Sequence, residues 1–163
     1  MDDIEEERQV SYLIESQERS YRLAYSYLHR REEALDAVQT AVCRALERRD
    51  SLRDMAAVRP WFTRILVNVC LDDLRRRERV VLIPPEALDA GSYEDPLPED
   101  GTLAERVDGL PPEVQTVVKL RFYEDMPLRE IGEVTGWNLN TVKSRLYAGL
   151  RKLRASLEGV EIE

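Results

Sequence analysis

The sequence has 163 residues, of which 43% are hydrophobic and 7% aromatic, and its net charge is −8. No apolar run comes near the ~20 residues that span a bilayer, and the segment from Met1 to Glu7 is acidic where a signal peptide would be basic and then apolar. We therefore expect a cytoplasmic protein without membrane insertion. Abundant Ala, Leu, Glu and Arg predict an all-α fold.

The two cysteines, Cys43 and Cys70, fall inside helical patterns. Neither has a CxxC partner or a Cys/His companion, so the spacing indicates neither a zinc site nor a disulfide framework. We expect two buried thiols and no cofactor.

Three blocks of apolar residues at helical spacing occupy the N-terminal half. The first runs from Val10 to Leu28, the second from Leu35 to Leu46, and the third from Phe62 to Leu74. Pro60 fits the first turn of the third helix, where a missing N–H costs nothing. Because helices of this length can share one core, residues 1–79 are predicted to form a first domain.

Helical periodicity fails between residues 80 and 102. Prolines and glycines there break any helix, and acidic side chains keep the segment in water. The acids are Glu86, Asp89, Glu94, Asp95, Glu99 and Asp100. We expect a flexible acidic linker between two small domains.

Residues 103–163 are predicted to form a second helical domain. Pro112 begins an amphipathic helix that ends near Tyr123, and Pro127 opens a short helix closed by Gly136. Asn138 is a good N-cap for the last helix. That helix carries one apolar stripe: Val142, Leu146, Leu150, Leu153 and Leu157.

This order of short helix, glycine turn and basic helix is typical of a helix-turn-helix. The first turns of a recognition helix enter the major groove, where Thr, Ser, Lys and Arg reach base edges and phosphates. Residues 141–154 contain five basic residues and no acid, although the whole chain is acidic. The alternative is a helical hairpin whose basic residues only keep its last helix in water.

The third predicted helix carries a second polar face. Arg64, Asn68, Asp72, Arg75 and Arg79 follow helical spacing and lie on one side. Such a face suits a DNA backbone and unpaired bases, and Asp72 can hold Arg75 or Arg76 one turn on. An ordinary solvated face is the alternative.

Together, in this order, these features resemble the extracytoplasmic function (ECF) group of bacterial RNA polymerase sigma factors. The resemblance spans about Val10 to Leu157. Its carriers are Asp36-Ala37-Val38-Gln39, Pro60-Trp61-Phe62 with Ile65, Asn68, Asp72, Leu74, Arg75 and Arg76, Leu110-Pro111-Pro112, Leu120-Arg121-Phe122, Glu130-Ile131-Gly132, Gly136, and Thr141 to Leu146.

The resemblance implies a promoter-directing subunit that performs no catalysis and binds core RNA polymerase, promoter DNA and an anti-sigma factor. It implies core docking by Asp36 and Gln39, and capture of a flipped base by the loop Ser51 to Arg59, with Trp61 in the core instead of stacking on that base. Minus-ten contacts fall to Arg64, Asn68, Asp72, Arg75 and Arg76. Minus-thirty-five contacts fall to Thr141, Lys143, Ser144, Arg145 and Tyr147, with Arg121 on phosphate. The linker is either a tether or an acidic mimic of nascent RNA.

Two departures from the family pattern matter. Ala148-Gly149 replaces a frequent Arg-Ala, which removes a cation and puts a helix-weakening glycine in the helix, so we expect a modest grip on promoter DNA. Thr40 and Val42 replace a frequent acid and aromatic, so fewer residues support core docking.

Two other classes of protein compete with this interpretation. A helix-turn-helix regulator would bind duplex DNA without polymerase, but would have no use for the Asn68 face. An enzyme would recruit Asp36, Asp72 and Asp73 with His29 as base. That interpretation is poor, because His29 is the only histidine and no nucleophile or phosphate loop accompanies it.

Overall fold

The structure is a computed structural model that describes residues 3–80 and 103–158. All regular structure in these ranges is helical, which confirms the predicted all-α fold. The chain divides into two compact units, Met1–Leu97 and Pro98–Glu163, and this division falls within the predicted linker. The rest of that linker, from residue 81 onward, lies outside the described residues, as does the side chain of Arg79.

The first unit is built around a three-helix core. Helices α2 (Gln17–Leu28), α3 (Arg31–Glu47) and α4 (Val58–Val80) pack on one another, and α1 (Asp3–Glu15) packs on α2. Two short 3-10 turns, Arg49–Ser51 and Met55–Ala57, connect α3 to α4. As predicted, Pro60 lies in the first turn of α4.

The prediction of a single helix from Val10 to Leu28 was wrong. The chain breaks at Ser16, whose backbone has φ −95° and ψ 8°. Helix α1 buries Gln9 and Leu13 and leaves Val10 and Ile14 exposed, so its buried face is rotated from the predicted one.

Helix α3 buries a face of small residues. Ala34, Ala37, Val38, Ala41 and Ala45 face the core, because small side chains allow α2 and α4 to approach closely. The predicted apolar stripe of α3 is rotated from the face that is buried, since Leu35 is 46% and Leu46 40% exposed. Cys43 is exposed on the same helix, which corrects the expectation of two buried thiols, whereas Cys70 is buried.

The second unit packs three helices against the last one. These are α5 (Leu103–Asp108), α6 (Pro112–Val118) and α7 (Leu128–Thr135), and they contact α8 (Leu139–Glu158). A π-helical turn, Lys119–Tyr123, extends α6. At the far end of α8, Arg106 donates a hydrogen bond of 2.9 Å to the carbonyl of Ser156.

Gly149 is a packing position and not merely a weak point of α8. A Cβ atom there would lie 2.8 Å from Cγ1 of Val114 and 2.8 Å from Cγ2 of Val118. The absence of a side chain therefore lets α8 cross α6 closely. The predicted apolar stripe of α8 holds from Val142 to Leu153, but Leu157 is exposed.

A buried lysine forms an ion pair in the second unit. Lys119 is fully buried, and its Nζ lies 3.2 Å from Oδ1 of Asp108, whose side chain is 29% exposed. The pair joins the π-helical turn to the end of α5. Gln115 adds to this junction by donating to the carbonyls of Asp108 and Leu110, at 3.2 and 3.3 Å.

Candidate nucleic-acid interface

The helix-turn-helix is formed by α7, a tight turn and α8. Gly136 ends α7 in the left-handed conformation, with φ 85°, and its N–H bonds the carbonyl of Gly132 at 2.7 Å. Oδ1 of Asn138 accepts a 2.8 Å hydrogen bond from the N–H of Thr141, which confirms Asn138 as the cap. A Cβ on Gly132 would lie 2.9 Å from the carbonyl oxygen of Trp137, so the turn requires a glycine there.

The first turns of α8 are anchored on one side and open on the other. Val142 and Leu146 are buried, whereas Lys143, Ser144 and Tyr147 are exposed. Thr141 and Arg145 are half-buried. Asn140 is also exposed in this part of α8, although it is not among the residues predicted to contact DNA. Its position just before those residues was the available signal.

Arg145 packs against the turn instead of extending from the open side. Its guanidinium carbon lies 4.0 Å from the centroid of the Trp137 ring, within cation–π range. The backbone of Trp137 is held in turn, because its N–H donates 3.3 Å to the hydroxyl of Thr135. This contact separates Arg145 from Lys143 and Ser144, with which it was grouped in the sequence.

Arg121, predicted to bind phosphate, is half-buried in the π-helical turn. Its Nη1 donates 3.1 Å to the carbonyl of Met126, which stabilises the connection into α7. Burial of the nearby Tyr123 raises its pKa above the ordinary 10.0, and the Asp108 carboxylate adds a smaller increase. Within the second unit, Arg121 therefore has a structural contact in addition to its predicted one.

The predicted minus-ten residues lie along α4 in the first unit. Arg64, Asn68, Arg75 and Arg76 are exposed. Asp72 pairs with Arg75 at 2.5 Å, one of the two partners predicted for it. This face is a cationic ridge in which a carboxylate already engages an arginine.

A second carboxylate engages the same ridge. Asp73 pairs with Arg76, and its side chain is 21% exposed. Burial raises the pKa of Asp73 above its ordinary 3.8 and outweighs Arg76, which lowers it. One turn from Asp73, Arg77 pairs with Glu33 and donates 2.8 Å to the carbonyl of Leu28, which holds α4 against the corner between α2 and α3.

The loop between α3 and α4 is held by its own side chains. The hydroxyl of Ser51 donates 2.7 Å to the carbonyl of Arg48 and accepts 2.9 Å from the indole N–H of Trp61. Oδ1 of Asp54 caps the second 3-10 turn by accepting 3.0 Å from the N–H of Ala56. Trp61 is half-buried, so it is only partly in the core, and it supports this loop.

Helix α1 braces the same loop from the other side. Gln9 is buried, and its Nε2 donates 3.2 Å to the carbonyl of Arg49, forty residues along the chain. The Arg49 side chain lies 3.5 Å from Glu6. No local sequence signal links these residues.

The predicted core-docking residues share an exposed face of α3. Asp36 and Gln39 are one turn apart and both exposed, and Leu35 and Leu46 are exposed on the same helix. A helix that shows apolar and polar residues side by side can pack against another protein.

The described residues contain neither a metal-binding cluster nor a membrane-spanning helix. Residues 3–80 and 103–158 hold no cluster of three or more His, Cys, Asp or Glu suited to a metal ion. Among the helices of these ranges, none combines the length and apolarity needed to cross a membrane.

Comparisons with known proteins agree with this arrangement. Residues 13–80 match the family model of Sigma-70 region 2, and residues 101–153 match that of Sigma-70, region 4. The RNA polymerase sigma factor SigV of Bacillus subtilis is 37% identical over 150 residues, covering 91% of this chain and 90% of SigV. The ECF RNA polymerase sigma factor SigE of Mycolicibacterium smegmatis is 34% identical, covering 84% of this chain and 56% of SigE.

One solved structure shows the same fold. It is the sigma factor RpoE in complex with the anti-sigma factor NepR from Bartonella quintana, with a TM-score of 0.73 and 19% identity, covering 93% of this chain and 96% of RpoE. The two family matches fall on the two units that carry the cationic faces. The chain therefore belongs to the ECF group of the sigma-70 family, the sigma factors that direct RNA polymerase to specific promoters for transcription initiation.

Proposed function

We propose that the two units of this sigma factor read two separate promoter segments. The observation that carries this assignment is the presence of an exposed basic or cationic face in each unit, on α4 in one and on α8 in the other. Two weak contacts joined by a tether reinforce each other, because the first raises the effective concentration of the second. The residue bounds 1–79, 80–102 and 103–163 remain our assignment of the two domains and their linker.

In this proposal the α4 face binds the minus-ten element. Arg64, Arg75 and Arg76 supply positive charge to the DNA backbone, and Asn68 supplies an amide to bases. Asp72 orients Arg75. The braced loop around Ser51 captures a base that has left the stack, at a cost of a few kcal/mol that is offset by contacts in its pocket.

The minus-thirty-five element is assigned to α8. Thr141, Lys143, Ser144 and Tyr147 lie where a recognition helix meets the major groove. Arg145 lies beside them against Trp137. Arg121 adds a phosphate contact with the part of its guanidinium that does not bind Met126.

The core-docking surface is assigned to the exposed face of α3, with Asp36 and Gln39 as its polar contacts. The mixture of exposed leucines and polar side chains supports a protein partner at this face. The chain itself performs no catalysis and works in the cytoplasm, where its polymerase acts. An anti-sigma factor is the expected partner in the free state, since the RpoE of similar fold is bound to one.

Reconstitution with core polymerase on a genomic fragment library, followed by sequencing of transcript starts, tests this function. We expect starts at specific promoters that depend on the chain. Lys143→Ala should weaken use of promoters only while the upstream element is intact. Absence of specific starts, together with tight duplex binding by the chain alone, would instead support the helix-turn-helix regulator.

A further inference from the structure

The exposed residues of α8 form a line with a basic residue on each side. Successive residues of a helix are about 100° apart, so positions i, i+4 and i+7 fall on one side. Asn140, Ser144 and Tyr147 have this spacing and are all exposed. By the same geometry Lys143 and Arg145 lie about 160° apart, on opposite sides of the line. Lys143 and Arg145 therefore cannot both face the floor of one groove.

Asn140 is an exposed amide without a structural task. The cap of α8 is already provided by Asn138, whose Oδ1 accepts the hydrogen bond from Thr141. Within the described part of the chain, no hydrogen bond or ion pair engages the Asn140 side chain.

The chemistry of an amide at this position points to one base. In the major groove, adenine presents the N7 acceptor beside the N6 donor, and an Asn side chain matches both with its NH₂ and C=O groups. The N-terminal residues of a recognition helix are those that reach base edges. Asn140 is the second residue of α8.

Arg145 is held away from that line. Its contact with Trp137 fixes the guanidinium at the edge of the helix, and the turn that carries Trp137 is fixed by Gly132 and Thr135. Phosphates line the edges of the major groove, and contacts to them position a protein without reading sequence. Charge at this edge would add affinity that depends on salt.

We propose that Asn140 is a specificity-determining residue that hydrogen-bonds an adenine of the upstream promoter element, while Arg145, positioned by Trp137, contacts phosphate. This inference rests on the proposed function, since it requires α8 to bind promoter duplex. It adds Asn140 as a residue that recognises a base, and it assigns Arg145 to the DNA backbone.

The test uses the full chain with core polymerase and a promoter fragment that the wild-type protein uses, with its upstream element randomised. Sequencing the transcripts from this pool gives the base preference at each position. Asn140→Ala should reduce the preference for adenine at one position by about tenfold and leave the other positions unchanged. Alanine is the better helix former, so a folding defect is not expected. Asn140→Gln, which keeps the amide, should retain part of the preference.

Arg145→Ala and Trp137→Leu are the matched comparisons. Both should weaken binding to all fragments alike, and Arg145→Ala should reduce the slope of log affinity against log salt by about one. Trp137→Phe, which keeps an aromatic face, should stay near wild type. In the Arg145→Ala background, Trp137→Leu should have little further effect, because a positioning residue acts only through its partner.

The outcomes separate the two proposals. An adenine preference that survives Asn140→Ala overturns the role of Asn140, and a loss of one base preference in Arg145→Ala overturns the phosphate role. If the wild-type protein initiates at no specific promoter, the proposed function itself fails and this inference fails with it.

Discussion

The indole N–H of Trp61 donates a 2.9 Å hydrogen bond to the hydroxyl of Ser51, and so joins the first turn of α4 to the loop that precedes it. The Ser51 hydroxyl donates a second hydrogen bond, to the carbonyl of Arg48. Trp61 therefore supports the loop through its indole N–H.

Trp61→Phe keeps an aromatic ring but removes the donor. A neutral hydrogen bond contributes about 1 kcal/mol, which corresponds to about a fivefold effect on an equilibrium. We expect faster hydrogen exchange at residues 49–52 and about fivefold less promoter melting, measured by reactivity of unpaired thymines. Ser51→Ala also removes the hydrogen bond to the Arg48 carbonyl, so its effect should be at least as large, and the double variant should be no worse than Ser51→Ala alone. Additive effects would contradict the shared hydrogen bond.

Gly149→Ala should destabilise the second unit. The new Cβ would lie 2.8 Å from two valine methyl groups, and β-branched side chains have little rotamer freedom with which to move away. Overpacking costs about 1–3 kcal/mol, and the better helix propensity of alanine offsets at most about 1 kcal/mol of this. Urea unfolding of the full chain measures the effect.

The control for this prediction is Val118→Ala. It makes room for the new methyl group, so the pair of substitutions should cost less than the sum of the single ones. A stabilised Gly149→Ala protein would show that Gly149 behaves like an exposed helical glycine and would contradict the close crossing.

Asp108→Ala and Lys119→Met should have unequal effects on stability. The first removes the Asp108 carboxylate from beside a fully buried ammonium, which costs about 3 kcal/mol. The second leaves a carboxylate that is 29% exposed and can be hydrated, so we expect about 1 kcal/mol. Thermal unfolding of both variants compares them directly. A larger loss in Lys119→Met would reverse the interpretation.

Asp73→Asn should change the dependence of stability on pH. The pKa of Asp73 is raised by burial in the folded state, so the folded chain holds this proton more tightly than the unfolded chain. Its contribution is fully present below pH 3.8 and is lost as the pH rises through the raised folded pKa. The variant should therefore gain stability relative to wild type between acidic and neutral pH.

Chemical denaturation across this range measures the gain. The charged groups around Asp73 are Asp72, Arg76 and Arg77 on α4, and Glu33 on α3. A stability difference that shrinks as the pH rises would mean that the pairing with Arg76 outweighs burial.

Local signals allowed much of the second unit to be predicted. Gly136 and Asn138 act within four residues of themselves, through a left-handed backbone and a side-chain cap, and both roles were confirmed. The start of α4 around Pro60 was predicted for the same reason. The roles of the individual DNA-contact residues stay predictions.

The predictions that were wrong depended on packing between distant segments. The exposure of Val10, Leu35 and Cys43 follows from which face of each helix its neighbours cover. The apolar pattern of one segment shows that the helix has a buried face. It does not show, to within one residue, where that face lies around the helix axis.

The sequence by itself determined that this protein is helical, that it has a helix-turn-helix near its C-terminus and that it resembles ECF sigma factors. Helical periodicity, caps and motif order are local properties of a chain, so they can be recognised without knowledge of its tertiary contacts. Tertiary structure alone decided that Arg145 packs on Trp137, that Gln9 donates to the carbonyl of Arg49, and that Asn140 is exposed in line with Ser144 and Tyr147. Such contacts depend on how separate segments approach and which faces they cover, which no single segment encodes.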